Sequence, residues 1–235
     1  MANFRSSVAS SASGVSYDAG LRAYMVKVYN FMAIALGISG LTSFLTASSP
    51  TLMNAIFGTP LSWLVILAPL GFVIFFSAKI NSISSQKAQT FLWIFAVLMG
   101  LSLASIFVIY TGTSIARVFF ISAATFGAMS LYGYTTKKDL TGMGSFLMMG
   151  LIGLIIASLV NIFLKSSAFE FAISAIGILI FIGLTAYDTQ RIKHSYYHSS
   201  DSEMIGKMAV MGALSLYMDF INLFLMMLRM FGDRR

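Results

Sequence analysis

The sequence predicts an all-α, polytopic integral membrane protein, a bundle of seven transmembrane helices, and three observations carry that prediction. Of 235 residues, 58% are hydrophobic and 10% are charged, against about a quarter charged in soluble globular domains. The apolar residues gather into seven runs of the length that crosses a bilayer, about 17 to 25 residues. The connections between the runs are short and polar, and none is long enough to form a second domain.

The first twenty residues, MANFRSSVASSASGVSYDAG, lack the continuous apolar stretch of a cleavable signal and read as a polar, Ser-rich tail. Residues 1–27 are expected to be a cytoplasmic tail and juxtamembrane segment, 28–230 a single transmembrane domain, and 231–235 a short basic tail. The runs are Val28 to Thr46, Leu61 to Ala78, Thr90 to Tyr110, Ile115 to Tyr134, Gly144 to Leu164, Ala168 to Asp188 and Met208 to Met230. Pro69 is expected to kink or open the second helix. Gly150 and Gly153 on the fifth run, and Gly177 and Gly183 on the sixth, offer the small surfaces that let helices approach in lipid. The 16 Met and 21 Phe residues read as lipid-facing and inter-helix packing. With no cysteine in the chain, disulfides and thiolate chemistry are excluded.

The net charge of +7 does not point to nucleic acid, because Lys and Arg fall at segment ends rather than in one basic patch. Their pattern sets orientation instead. Arg5, Arg22, Lys27, Lys79, Lys87, Lys137, Lys138, Arg191, Lys193 and Lys207 fall on the side of the N-terminus, which predicts a cytoplasmic N-terminus. Arg117 and Lys165 fall on the other side, joined by Arg229, Arg234 and Arg235 if the last segment crosses. A re-entrant last segment would keep those three with the majority; its length favours a crossing.

That last segment holds the residue that most needs explaining. Asp219 is the sole charged residue between Met208 and Leu228, and a carboxylate near a bilayer centre costs about 2.5–3.5 kcal/mol on insertion scales. Gly212, Ser215, Asp219 and Asn222 recur at spacings that put them on one helix face. On the preceding helix Ser174, Gly177, Thr185 and Asp188 form a similar stripe. Two polar stripes on consecutive helices face each other or a wet cavity, since lipid does not solvate them. Carboxyls within about 4–6 Å ionise in two coupled steps. Sharing one proton, such a pair joins two helices; without it, the pair repels itself or takes a cation. Ca²⁺ fits as a hard ion that uses carboxylate and carbonyl oxygens, and Asp188, Asp219 and Asn222 make a sparse cage suited to passage.

Alternatives stand beside each acid. Asp188 also reads as an exposed acid paired with Arg191 three residues on, and Asp219 as part of a segment lying at the interface. Lys79, at the end of the second helix, reads as a snorkelling residue or as a counter-ion of the pair. His194 and His198, beside Asp201 and Glu203, read as a solvated loop rather than a metal site, because no third ligand stands at a diagnostic spacing. No resident cofactor is expected.

The segment Gly183-Leu-Thr-Ala-Tyr-Asp-Thr-Gln-Arg-Ile-Lys193 and the later Ala213-Leu-Ser-Leu-Tyr-Met-Asp-Phe-Ile-Asn-Leu-Phe-Leu225 resemble the Bax inhibitor-1 family in its bacterial branch. Lys27-Val-Tyr-Asn-Phe-Met32 adds to the likeness, which covers nearly the whole chain after the tail. The resemblance implies a seven-helix fold with the last helix in the core, in a bacterial inner membrane. It also implies an aspartate pair, Asp188 and Asp219 here, that latches a calcium leak in response to pH. A basic residue of the second helix accompanies the pair in that family; Lys79 matches by position, offering a point charge rather than a bidentate fork.

The resemblance further implies links to suppression of cell death in eukaryotes and to modulation of a membrane-bound AAA protease in bacteria. The Ser-rich tail would be the part such a protease engages, so a regulator of quality control is the alternative to a leak. An enzymatic reading, an intramembrane aspartyl protease, fails on its second motif: Leu216-Tyr-Met precedes Asp219 where Gly-x-Gly is needed. The chain is therefore expected not to be an enzyme. Its oligomeric state is not set by the sequence.

Overall fold

Nine α-helices account for nearly all of the computed structural model, which describes residues 2–197 and 201–235, with side chains from Ala19 onward. They are α1 (Ala2–Ala47), α2 (Pro50–Phe57), α3 (Leu61–Lys79), α4 (Ser85–Leu103), α5 (Ile106–Ile109), α6 (Gly112–Thr135), α7 (Thr141–Leu164), α8 (Ser167–Tyr196) and α9 (Ser202–Phe231). A 3₁₀ turn, Ile80–Ser82, follows α3. Among the described residues, seven spans are long and apolar enough to cross a bilayer: Ala19–Ala47, Leu61–Ser82, Ser85–Ile109, Gly112–Thr135, Thr141–Leu164, Ser167–Tyr196 and Ser202–Phe231. The protein is an all-α, multi-pass membrane protein.

Each expected span is present, and most are longer than their apolar runs. Hydropathy sees the stretch matched to lipid, whereas a helix continues until its end groups are capped by something else. The sixth run stops at Asp188, but α8 continues to Tyr196 through a polar turn. At the N-terminus α1 begins at Ala2, so helix enters the segment expected to be a tail. Pro69 lies buried within α3, which is assigned as unbroken helix from Leu61 to Lys79.

Side-chain caps fix the helix starts. Ser84, Thr111, Ser166 and Asp201 each sit in extended conformation before α4, α6, α8 and α9 and accept from backbone N–H groups of the first turn. Between α7 and α8 the chain turns at Lys165, whose φ of 51° is left-handed, with Ser166 N donating to Asn161 Oδ1.

Helix α9 is the centre of the bundle. In its most apolar window 72% of residues are buried, against 11% for α3 and α7. It packs on α8, α1, α6 and α4, while α3 packs on α4 and α7 on α8 at the periphery. Small residues permit this closeness. A Cβ on Gly133 of α6 would clash with the Ala186 carbonyl of α8, and one on Gly100 of α4 would lie 2.7 Å from the Ser39 carbonyl of α1. Of the four glycines marked in the sequence, Gly150, Gly177 and Gly183 face neighbouring side chains, while Gly153 faces open space.

The ends of α9 lie at opposite ends of the bundle, which gives the last segment the geometry of a crossing. At its start, Glu203 accepts from Ser85 N, and Lys207 Nζ donates to the Asn81 carbonyl. Past its end, Thr111 N donates to the Asp233 carbonyl, and Arg235 N to the Ile109 carbonyl. Asp233 pairs with Arg117 at 2.9 Å, and Arg234 with Glu170 at 3.2 Å.

Candidate functional site

The acidic pair lies between α8 and α9, the helices in most extensive contact. Gly212 lets them close: Ile192 of α8 sits where a side chain would be, 3.1 Å from an ideal Cβ. One and two turns further along α9 come Ser215 and Asp219, facing Asp188 and Arg191 of α8. Asp188 is 8% exposed and Asp219 6%. The two carboxyls lie within interaction range of each other. Carboxyls so placed do not readily ionise together.

Arg191 completes the cluster. Its Nη2 donates to Asp188 Oδ1 at 3.2 Å and to Ser215 Oγ at 3.1 Å. Its side chain is about half exposed while that of Asp188 is 12% exposed, so the ion pair runs from solvent into the bundle. Asp188 therefore pairs with Arg191 as one reading expects, but from a buried position rather than an exposed one. Outside it lies a cavity of about 270 Å³, with Arg191, Ser195, Met208, Met211, Gly212 and Ser215 on its wall. Inside, Asp219 Oδ2 has no hydrogen-bond partner among the described residues. A buried polar atom of this kind is rare in native structures and marks strain, function or a solvent or ion position.

The other predicted residues divide. Thr185 is fully buried one turn from Asp188, and its hydroxyl donates back to the Phe181 carbonyl at 2.7 Å. Ser174 is buried with its hydroxyl unpartnered among the described residues. Asn222 shares the Asp219 helix but lines a different, mostly apolar cavity of about 380 Å³, together with Ser158, Phe181, Met218 and Met226. Lys79 is not brought to the pair. It ends α3, exposed, and α3 sits at the periphery against α4; the counter-ion is Arg191. His194 lies in the last turn of α8, and His198 lies outside the described residues. Among the described residues no three His, Asp or Glu side chains form a cluster able to hold a metal.

Two buried hydroxyl clusters escaped the sequence reading. Tyr217, fully buried on α9, bonds Ser39 Oγ at 2.7 Å, and Ser39 Oγ lies 2.7 Å from the Ala96 carbonyl, tying α9 to α1 and α4. Tyr29, Ser130 and Thr189 form a second chain across α1, α6 and α8. A signal was present on α1, where Ser39, Ser43 and Thr46 recur at spacings of four and three, as in the aspartate stripe; Ser114, Ser122 and Ser130 of α6, spaced by eight, are likewise buried.

With the buried pair located, its relatives can be compared. The family model for Inhibitor of apoptosis-promoting Bax1 matches residues 21–235. The chain belongs to the Bax inhibitor-1 family. It is 49% identical over 235 residues to the uncharacterized protein RP147 of Rickettsia prowazekii, covering all of both chains. It is 45% identical over 220 residues to the inner membrane protein YbhL of Escherichia coli, covering 92% of this chain and 94% of that one. A Borreliella burgdorferi protein is 47% identical over 214 residues, covering 90% and 92%. The name of YbhL describes an inner membrane protein, and none of the three names carries a reaction. Within this Bax inhibitor-1 chain, α8 and α9 hold both stretches on which the resemblance was recognised.

Proposed function

We propose that this protein is a pH-sensitive cation leak, with Ca²⁺ as the conducted ion and the Asp188–Asp219 pair as its latch. The observation that carries the proposal is the juxtaposition of two buried carboxyls on neighbouring helices, with one oxygen of Asp219 unpartnered among the described residues. In the protonated arrangement Asp188, Arg191 and neutral Asp219 sum to no net charge, and the shared proton joins α8 to α9. Loss of that proton leaves two carboxylates against one half-exposed guanidinium. The helices then repel at this point, and the excess negative charge favours a cation. Two carboxylates, Ser215 Oγ and water fall short of the six to eight oxygens of a storage site for Ca²⁺, so an ion drawn to them is not held.

The basic residues around Arg22, Lys137, Lys138 and Lys193 support a cytoplasmic N-terminus, and the printed name of YbhL supports an inner-membrane setting. The cavity outside Arg191 would then open to the cytoplasm. The test is Ca²⁺ entry into proteoliposomes measured across a series of pH values. The wild-type chain should conduct with a pH dependence that Asp219→Asn and Asp188→Asn each remove. Unchanged pH dependence in both variants refutes the latch.

A further inference from the structure

The largest cavity described in the molecule lies away from the acidic pair. It is a groove of about 510 Å³ between α1 and α6, with Arg22, Met25, Tyr29, Gly127, Ser130 and Tyr134 on its walls. Helices α1 and α6 both pack on α9 but do not pack closely on each other, and the Tyr29–Ser130 hydrogen bond bridges the space between them, so the groove is a gap open sideways to the surroundings of the bundle. Its exposed flanks are apolar: Val26 is 50% exposed and Leu131 62%. From Arg22 to Tyr29, and from Phe126 to Tyr134, it runs ~10–12 Å along the helices.

The hydroxyls of Tyr29 and Ser130 on the groove wall are already committed. Thr189 Oγ1 donates to the Thr185 carbonyl, so Ser130 donates to Thr189 and Tyr29 to Ser130. Neither of those two hydroxyl hydrogens remains to attract a polar ligand. Arg22, at the mouth, is the one charged residue lining the groove; it is exposed and makes no ion pair with a described side chain.

We infer that this groove holds one anionic phospholipid of the surrounding leaflet, its phosphate at Arg22 and the upper part of an acyl chain between α1 and α6. The shape and polarity select this occupant. A soluble ligand would meet a slot whose exposed flanks, Val26 and Leu131, are apolar, and Arg22 gives an anionic headgroup its one ionic partner there. A lipid brings both an apolar chain and a negative charge placed at the basic end of the bundle.

The test uses the full chain reconstituted in nanodiscs of equal phosphatidylglycerol and phosphatidylcholine, extracted into mild detergent, with retained lipid measured by mass spectrometry. The wild-type chain should retain phosphatidylglycerol about five-fold over phosphatidylcholine, the preference expected of one cation at a membrane surface. Arg22→Gln should lose the preference and keep part of the retained lipid. Gly127→Leu, at a position where an added Cβ meets nothing within 4 Å, should fill the slot and reduce retention of both lipids. Lys27→Gln serves as control, since Lys27 lies over the Phe31 ring and does not line the groove; it should behave as wild type. Equal retention of the two lipids by the wild-type chain, or an equal loss of preference in the Lys27 and Arg22 variants, would overturn the inference.

Discussion

Tyr217 is the side chain whose removal should most damage the bundle. It is fully buried on α9, meets Phe95 edge-on at 5.6 Å and bonds Ser39. In a bilayer the separated helices already sit in apolar surroundings, so the loss is measured in packing and hydrogen bonds rather than in transfer from water. Truncation to Ala empties ~100 Å³, which at ~24 cal/mol per Å³ costs about 2.4 kcal/mol. The lost ring contact contributes about 0.5–1.5 kcal/mol, and the lost hydrogen bond about 1 kcal/mol. Tyr217→Ala should therefore destabilise by about 4 kcal/mol. Tyr217→Phe keeps the ring, and Ser39 keeps the Ala96 carbonyl as acceptor, so it should cost about 1 kcal/mol. Reversible unfolding in mixed micelles, followed by circular dichroism, measures both. If the Phe variant is as unstable as the Ala variant, or the Ala variant loses less than about 1 kcal/mol, α9 is not held as argued.

Arg191→Gln removes the positive charge that offsets two ionised carboxylates, so the doubly charged, open pair is disfavoured; after discounting for the exposure of Arg191 this is worth about 1–2 kcal/mol, so Ca²⁺ leak at a given pH should fall roughly 5- to 30-fold. Lys79→Gln should leave the same flux unchanged, and an equal effect of the two would show that the counter-ion is misassigned. Asp139 Oδ1 accepts from Thr141 N at 2.9 Å and Thr141 Oγ1 at 2.7 Å, and these bonds hold its carboxyl below the ordinary range. The stability they give is present above the usual carboxyl pKa and is lost as pH falls through the lowered one. Asp139→Asn should therefore flatten acid sensitivity at the start of α7, read by amide hydrogen exchange from pH 5 downward; an unchanged profile refutes it. Gly133→Val, set against the Ala186 carbonyl, should cost more than about 2 kcal/mol and reduce folded yield. Gly153→Ala, facing open space, should gain about 0.5–1 kcal/mol from helix propensity; a loss at Gly153 comparable to that at Gly133 would contradict the packing described.

The amino-acid pattern alone determined the seven spans and the face of α9 that carries Ser215 and Asp219. Lipid imposes both: a crossing needs a fixed length of apolar helix, and a charged residue within it needs a partner. It also showed Asp188 as that partner, because consecutive antiparallel helices pack side by side. Its limit was reached where partners come from distant segments. Whether Lys79 or Arg191 balances the acids depends on α3 lying at the periphery, which hydropathy does not encode, since α3 and α8 are similarly apolar but very differently buried. The hydroxyls of Tyr29, Ser130 and Thr189 look unremarkable in separate runs and acquire meaning from the crossing of α1, α6 and α8. The gap between α1 and α6 is likewise a product of how both lean on α9. Local sequence dictates what each helix must bury; which neighbour it buries it against is decided by the fit of whole helices, and that fit exists only in the assembled bundle.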